Sequence, residues 1–385
     1  MSASVDICSD NQLMKPRFDM RICSALSLAL AVVVALSSAC SRSPPVVVHK
    51  ELKLSSYGTD AKFIVSLPAG GYVIGGSSVP LSSVGWATKV DQNGQRVWEF
   101  FDGPKDTWTA LGPSLHEVGG AMALRDNSIV SCATQESKGR GSPVLIHISA
   151  TGKLLSEEGI EVQGLDTQRD VRCLLWRDGI AVVVQNVDPS LNRLIKLSAD
   201  HELLWERTGP YGVDDIMLGP EGDPLLLAGR FAAFDIQKID QTGHIAMTVS
   251  VHALSAKFAC ARGGSSSLGL LYVDSEQSTE LAEYDWNLRP QGSPIKANAN
   301  IYGRACALGD GSYLVFGGAD RGTTAAVYHL YRNGHFDTVR FAKNSRYFSD
   351  AVPVGPPGDF AAVRTTTGLT LEQTRPVLTF VSMQR

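Results

Sequence analysis

Charge is scarce in this chain. Asp, Glu, Lys and Arg make up 19% of its 385 residues, where ordinary globular chains carry about 25%. The 35 basic side chains almost cancel the 39 acidic ones, leaving a formal net charge of −4. Without a basic excess there is nothing to neutralise a phosphate backbone, so no nucleic-acid partner is expected. Also missing beyond residue 45 are a Gly-x-Ser-x-Gly elbow, His-Glu-x-x-His, Cys-x-x-Cys, a Walker loop and Gly-x-Gly-x-x-Gly, so enzymes recognisable by one linear motif have no support. The 8 His are scattered. The closest pair in that region, His329 and His335, falls on a strand and a turn, which suits exposed or core-satisfied imidazoles. No sustained helical period follows residue 45, and the chain has one long apolar run, Ala25 to Ala39.

What is present is apolar and turn-rich. The apolar fraction of 44% is enough for a core, and 37 Gly exceed the usual share of roughly 7%. Disorder is excluded. The length allows one to three domains.

Ala25 to Ala39 is preceded by Lys15, Arg17 and Arg21 and closed by Ser37-Ser38-Ala39-Cys40, the anatomy of an export signal. Met14-Lys15-Pro16-Arg17 is a better natural start than Met1. The segment resembles a bacterial lipoprotein signal, with Ser37 where such boxes usually carry Leu. The resemblance implies a signal peptide over 1–39, lipidation of Cys40, a short linker over 40–45 and a mature domain over 46–385. Acyl chains contributing about 0.8 kcal/mol per CH₂ would hold it on a membrane without a spanning helix. Ser41 after the Cys implies outer-membrane sorting, most simply facing the periplasm. A plain signal peptide and a retained anchor are the alternatives, and both still export the chain. The apolar run falls short of the ~20 residues of a span.

Beyond residue 45, short β-rich runs alternate with Gly, Asp and Asn turns. One unit recurs: a strand, a first turn, an apolar second strand, a loop, a third strand and an Asp-x-x-Gly-like second turn. First turns contain Gly71, Asn127, Gly179, Gly222, Gly264, Gly311 and Gly358, a mean spacing of about 48 residues, as in propeller blades. Second turns are Asp91 to Gly94, Ser149 to Gly152, Asp240 to Gly243 and Tyr331 to Gly334, with degenerate copies at Ser198 to His201 and Asp285 to Leu288. The last unit stops after a third strand, Val377 to Met383, and Val46 to Leu54 precedes the first complete unit. The expected fold is therefore all-β: a seven-bladed β-propeller of four-stranded antiparallel blades, its ring closed by the N-terminal strand completing the last blade. Closure removes exposed strand edges.

Of the 7 Cys, Cys8 and Cys23 lie in the leader. Export would permit disulfides among Cys132, Cys173, Cys260 and Cys306, whose pairing the sequence does not give. Cys173, Cys260 and Cys306 occupy similar places in apolar strands, which reads as buried free thiols.

Gly70 to Gly76, then Lys89 to Trp98, and the second-half copy Leu197 to Trp205 resemble repeats of bacterial secreted propellers, including those similar to quinoprotein blades. Gly75-Gly76 and Gly317-Gly318 also resemble kelch repeats. Trp98 and Trp205 are expected to pack between blades.

Candidate site residues follow from propeller geometry. Asp60, Asp170, Asp214 and Asp350 start innermost strands of four blades and so converge on one mouth of the central channel. Convergent carboxylates can bind a cation or a basic ligand, or split their pKa values for acid and base work; capping a turn is the structural alternative. Loops on the same face carry Lys138, Arg140, Asp188, Arg230, Asp320, Arg321 and Arg375, a mixed-charge surface. The excursion from Asp102 to Val118 presents Trp108, either an interaction anchor or a lid packed over blades. No cofactor is expected, although a divalent cation at the mouth is an option. Two functions compete: a noncatalytic, membrane-tethered propeller binding a protein, peptide or glycan, similar to propeller lipoproteins of outer-membrane barrel assembly, and a lactonase-like or sugar-ester hydrolase with a cation at the channel mouth.

Overall fold

A computed structural model of the protein describes residues 46–54, 60–78, 84–101, 115–137, 140–162, 168–260, 267–319, 324–341, 345–355, 358–366 and 375–383, all within one compact unit, Val46–Arg385. The expected signal, Cys40, Trp108, Lys138, Asp320 and Arg321 lie outside the described residues, as does the turn at Gly264. No described helix is long and apolar enough to cross a membrane.

The described strands form seven sheets of four, every neighbouring pair antiparallel. Blades 1 to 6 are consecutive in the chain, over residues 60–101, 115–159, 168–208, 215–251, 255–297 and 302–340. Their inner strands are Asp60–Ser66, Leu115–Ala123, Gln168–Trp176, Asp215–Leu218, Ser255–Phe258 and Tyr302–Ala307. Blade 7 takes Ser345–Pro353, Asp359–Thr366 and Arg375–Met383 from the C-terminal end and Val46–Lys53 from the N-terminal end. Pairing runs from Val46 opposite Met383 to Lys53 opposite Val377, with one irregularity between Val48 and Lys50. An Arg364–Glu51 ion pair at 2.7 Å adds a tie to the same seam.

Burial falls from the middle of each blade outward. The second strands Leu268–Val273 and Tyr313–Ala319 are buried at every residue, because each is covered by a blade on both faces. The outermost strand Leu154–Gly159 is exposed at all positions but one. The core is accordingly a ring of layers between blades. Leu225, Leu227 and Ile236 of blade 4 meet Phe258, Leu268 and Leu270 of blade 5, and Cys306, Leu314 and Phe316 of blade 6 meet Phe348 and Phe360 of blade 7.

The tight turns use left-handed backbone. Gly94, Gly152, Gly243 and Gly334 have positive φ, and in the degenerate copies His201 (φ 66°) and Leu288 (φ 56°) take that conformation, so the backbone repeats where the sequence does not. Trp98 and Trp205 pack between blades as expected. The Trp98 indole donates to Ala150 O at 3.0 Å, in the second turn of blade 2. A side chain at Gly243, in blade 4, would collide with the Trp205 ring of blade 3. Trp205→Ala is expected to cost about 2–3 kcal/mol in urea denaturation, below the roughly 3–5 of a fully buried aromatic because the ring is only partly buried.

The cysteines correct the sequence reading. Cys132 pairs with Cys173 and Cys260 with Cys306, at Cα separations of 6.0 and 4.7 Å, within disulfide reach. The bridges staple blade 2 to blade 3 and blade 5 to blade 6. Facing positions on neighbouring blades, which made these Cys look like repeated core residues, are also what brings two sulfurs together. The strand Leu115–Ala123 begins inside the excursion expected from Asp102 to Val118.

Candidate functional site at the channel mouth

Inner strands begin at one rim of the channel. Antiparallel alternation then places the loops between second and third strands, and the connections between blades, at that same rim. Each inner strand sends one residue to a common level of the channel wall: Lys62, Gly120, Arg172, Asp215, Lys257, Arg304 and Asp350 all line a cavity of about 280 Å³. The level is set by pairing, since Arg304 opposes Phe316, Asp215 opposes Leu227, Lys257 opposes Leu271 and Gly120 opposes Cys132, each partner the fourth residue of its second strand. Among the described residues, a side chain at Gly120 would meet nothing within 4 Å, and glycine there contributes no charge to the ring.

Arg304 is the hub. Its guanidinium donates to both carboxylate oxygens of Asp215, at 2.8 and 3.2 Å, to Asp350 Oδ1 at 3.2 Å and to Phe258 O at 2.9 Å. Burial disfavours its charge, but Asp215 and Asp350 outweigh that and hold its pKa above the ordinary arginine value. The carboxylates are anchored in turn: Asp215 Oδ2 accepts from Phe258 N at 2.9 Å and Asp350 Oδ2 from Ile64 N at 3.3 Å. This network ties blades 4, 5, 6, 7 and 1 together at the axis.

The four predicted Asp divide. Asp350 belongs to the charged ring and is held by Arg304. Asp60 and Asp214 line the same cavity one step nearer the rim, where Asp60 accepts from Thr365 Oγ1 at 3.3 Å and lies 4.0 Å from Lys62 Nζ. Asp214 accepts from Gly229 N at 2.5 Å. Burial raises the Asp214 carboxyl above the usual range, with Gly229 and Arg172 opposing and Asp170 and Asp215 adding to the shift; Asp170 therefore sits within electrostatic reach of it. Among the described residues no three His, Cys, Asp or Glu side chains are grouped to hold a metal ion.

Arg230 is elsewhere on the rim, exposed in the loop between second and third strands of blade 4 and paired with Asp235. Arg140 opens the third strand of blade 2 opposite Ser137. Asp188 caps a short 3-10 turn, accepting from Ser190 N at 2.9 Å, and Arg375 opens the third strand of blade 7.

The fold is shared with solved structures. Streptogramin B lyase is 12% identical, with a TM-score of 0.56 over 87% of this chain and 98% of that one. The Dos1 propeller is 10% identical, with a TM-score of 0.52 over 88% of this chain and 95% of that one. The likeness is one of fold. No family model and no curated protein matches the chain.

Reading from the sequence missed Lys62, Arg172, Asp215, Lys257 and Arg304. A partial signal exists: aligning the inner strands by their second-strand partners puts Gly120, Asp215, Lys257 and Arg304 in one column, whereas Lys62 falls in a bulge and Arg172 and Asp350 oppose the fifth residue of their second strands. Bulges hide the rest, because the register slips between Ala61 and Phe63 and between Gln168 and Val171, so counting along the chain puts Asp60 and Asp170 in the place of Lys62 and Arg172. Asp214 precedes Asp215 by one residue in a strand pair without a slip.

A Ser-His-Asp grouping also occurs twice at the opposite rim, as Asp126-Ser128-His147 and Asp310-Ser312-His329. In both, the Ser hydroxyl donates to the Asp at 2.6 Å and meets the His Nε2 at 3.0 or 2.9 Å. A nucleophile needs its proton taken by the His and the His oriented by the Asp; here the Ser hydroxyl donates its hydrogen bond to the Asp instead. Burial lowers the pKa of both His147 and His329. The repetition in two blades marks a turn-bracing device.

Proposed function

We propose that the protein is an exported, lipid-anchored propeller that binds a protein partner on its channel-mouth face without catalysing a reaction. The observation that carries this reading is the aromatic display on that face: exposed aliphatic side chains such as Leu155 and Leu204 also occur at the opposite rim, but among the described residues the exposed large aromatics, Phe231, Tyr302 and Tyr347, all lie at the mouth. Phe231 at the tip of a blade 4 loop is 102% exposed, and Val187, Leu191, Leu254, Tyr302 and Tyr347 around blades 3 to 7 are also exposed. Aromatic and aliphatic side chains presented on loops over a rigid scaffold suit partner binding. Engagement of Arg304 by Asp215 and Asp350 supports a structural use of that part of the ring. The leader ending in Cys40 supports lipidation and outer-membrane attachment facing the periplasm, and two disulfides fit an oxidising compartment.

Two measurements test the proposal. Cys40→Ala is expected to abolish lipid labelling and release the protein from the membrane. A photocrosslinking residue in place of Phe231 or Tyr347 is expected to trap one discrete partner in intact envelopes, whereas the same residue in place of Leu204, at the opposite rim, traps none. Equal capture from both rims would remove the partner assignment. Hydrolysis of lactone or sugar-ester substrates that disappears in Asp350→Asn would favour an enzyme instead.

A further inference from the structure

We propose that the channel mouth holds a small carboxylic acid with an apolar body, its carboxylate between Lys257 and Arg172 and its body against Tyr347. Tyr347 and Tyr302 also belong to the face proposed for partner binding, but the ligand is argued from the charges inside the cavity and its test does not depend on a partner.

The charges of the cavity are unevenly satisfied. Arg304 is neutralised by two carboxylates, and Lys62 has Asp60 beside it. Among the described residues, Arg172 donates only to the backbone carbonyls of Val213, at 3.2 Å, and Gly119, and Lys257 has neither a hydrogen bond nor an ion pair. Lys257 opens to the cavity on one side and is packed deeply in protein on the others. Burial lowers its pKa below the ordinary lysine range, Arg304 and Arg172 push the same way, and Asp215 and Asp350 oppose. A buried cation without a direct counter-ion is costly, and that cost is relieved if a ligand brings the negative charge.

The surroundings narrow the ligand. Asp60, Asp214, Asp215 and Asp350 share the cavity with the cations, so a single negative charge is tolerated better than the double charge of a phosphate. The planar Arg172 fork suits a carboxylate. Lys257 and Tyr347 also line a second cavity of about 410 Å³, walled by Leu271, Tyr272, Ile301 and Tyr302. A ligand with its charge in the first cavity and an aromatic or aliphatic body in the second would satisfy both.

The test is calorimetric titration of the full-length protein with phenylacetate, phenylacetamide, acetate and inorganic phosphate. Phenylacetate is expected to bind at least tenfold more tightly than the other three, each tenfold being about 1.4 kcal/mol. Lys257→Met and Arg172→Met are expected to weaken phenylacetate at least tenfold, and Tyr347→Ala to weaken phenylacetate but not acetate. Without ligand, Lys257→Met is expected to melt at or above the wild-type temperature, because it removes an unsatisfied cation; a brace would be lost with the opposite sign. Lack of saturation by phenylacetate up to about 50 mM, equal affinity for the amide, tighter binding of phosphate, or full affinity in a folded Lys257→Met variant would each overturn the proposal.

Discussion

Arg304→Met is expected to destabilise the protein by about 3–5 kcal/mol, as removal of one member of a buried ion network does. The loss exceeds the value of the bonds removed because Asp215 and Asp350, whose side chains are 10% and 18% exposed, would be left as two carboxylates facing each other near the axis. Arg304→Lys keeps the charge but gives up the two-pronged contact with Asp215 and should cost less, about 1–2 kcal/mol. Combining Arg304→Met with Asp215→Asn and Asp350→Asn is expected to recover at least half of the loss, because Asn still accepts from Phe258 N and Ile64 N while removing the repulsion. Urea denaturation of the four proteins reads all of this. A cost under about 1 kcal/mol for Arg304→Met would mean that channel water screens the network and that the axis is not held by charge.

Opening the disulfides is the second large effect. Cys132–Cys173 and Cys260–Cys306 span 41 and 46 residues, and loops of that length correspond to about 2–4 kcal/mol each, arising mainly from restriction of the unfolded chain. Replacing each pair by Ala should lower the unfolding free energy read from urea denaturation by a similar amount. The double replacement should show the sum to within about 0.5 kcal/mol, because the bridges lie in different pairs of blades with no shared partner. The wild-type protein under reducing conditions should match the quadruple variant. A reduced wild type as stable as the oxidised one would remove the bridges from the stability of the fold.

Much of the architecture was legible in the residues. Turn glycines at about 48-residue spacing, apolar second strands such as Leu225 to Ala228, and a last unit short of one strand were enough to specify seven blades and the closing partner of Val377 to Met383. Local chemistry explains this: a tight reversal needs left-handed backbone, and a strand covered on both faces needs an unbroken apolar run. The site was legible only in part. Asp60, Asp214 and Asp350 do reach the cavity, but the cations beside them did not stand out, because Lys257 and Arg304 look like ordinary solvated side chains in strands that also carry polar residues. Their significance comes from neighbours on other blades, 89 residues away for Arg304 and Asp215.

The sequence by itself determined which segments are strands, where they reverse and that the two ends must meet, since these follow from side-chain periodicity and backbone preference. Tertiary structure decided which cysteines join, which residue of each inner strand faces the axis and which cation of the cavity, among the described residues, lacks a direct counter-charge. Those outcomes depend on bulges that shift register and on distances between blades, quantities fixed only once all seven sheets pack around one channel.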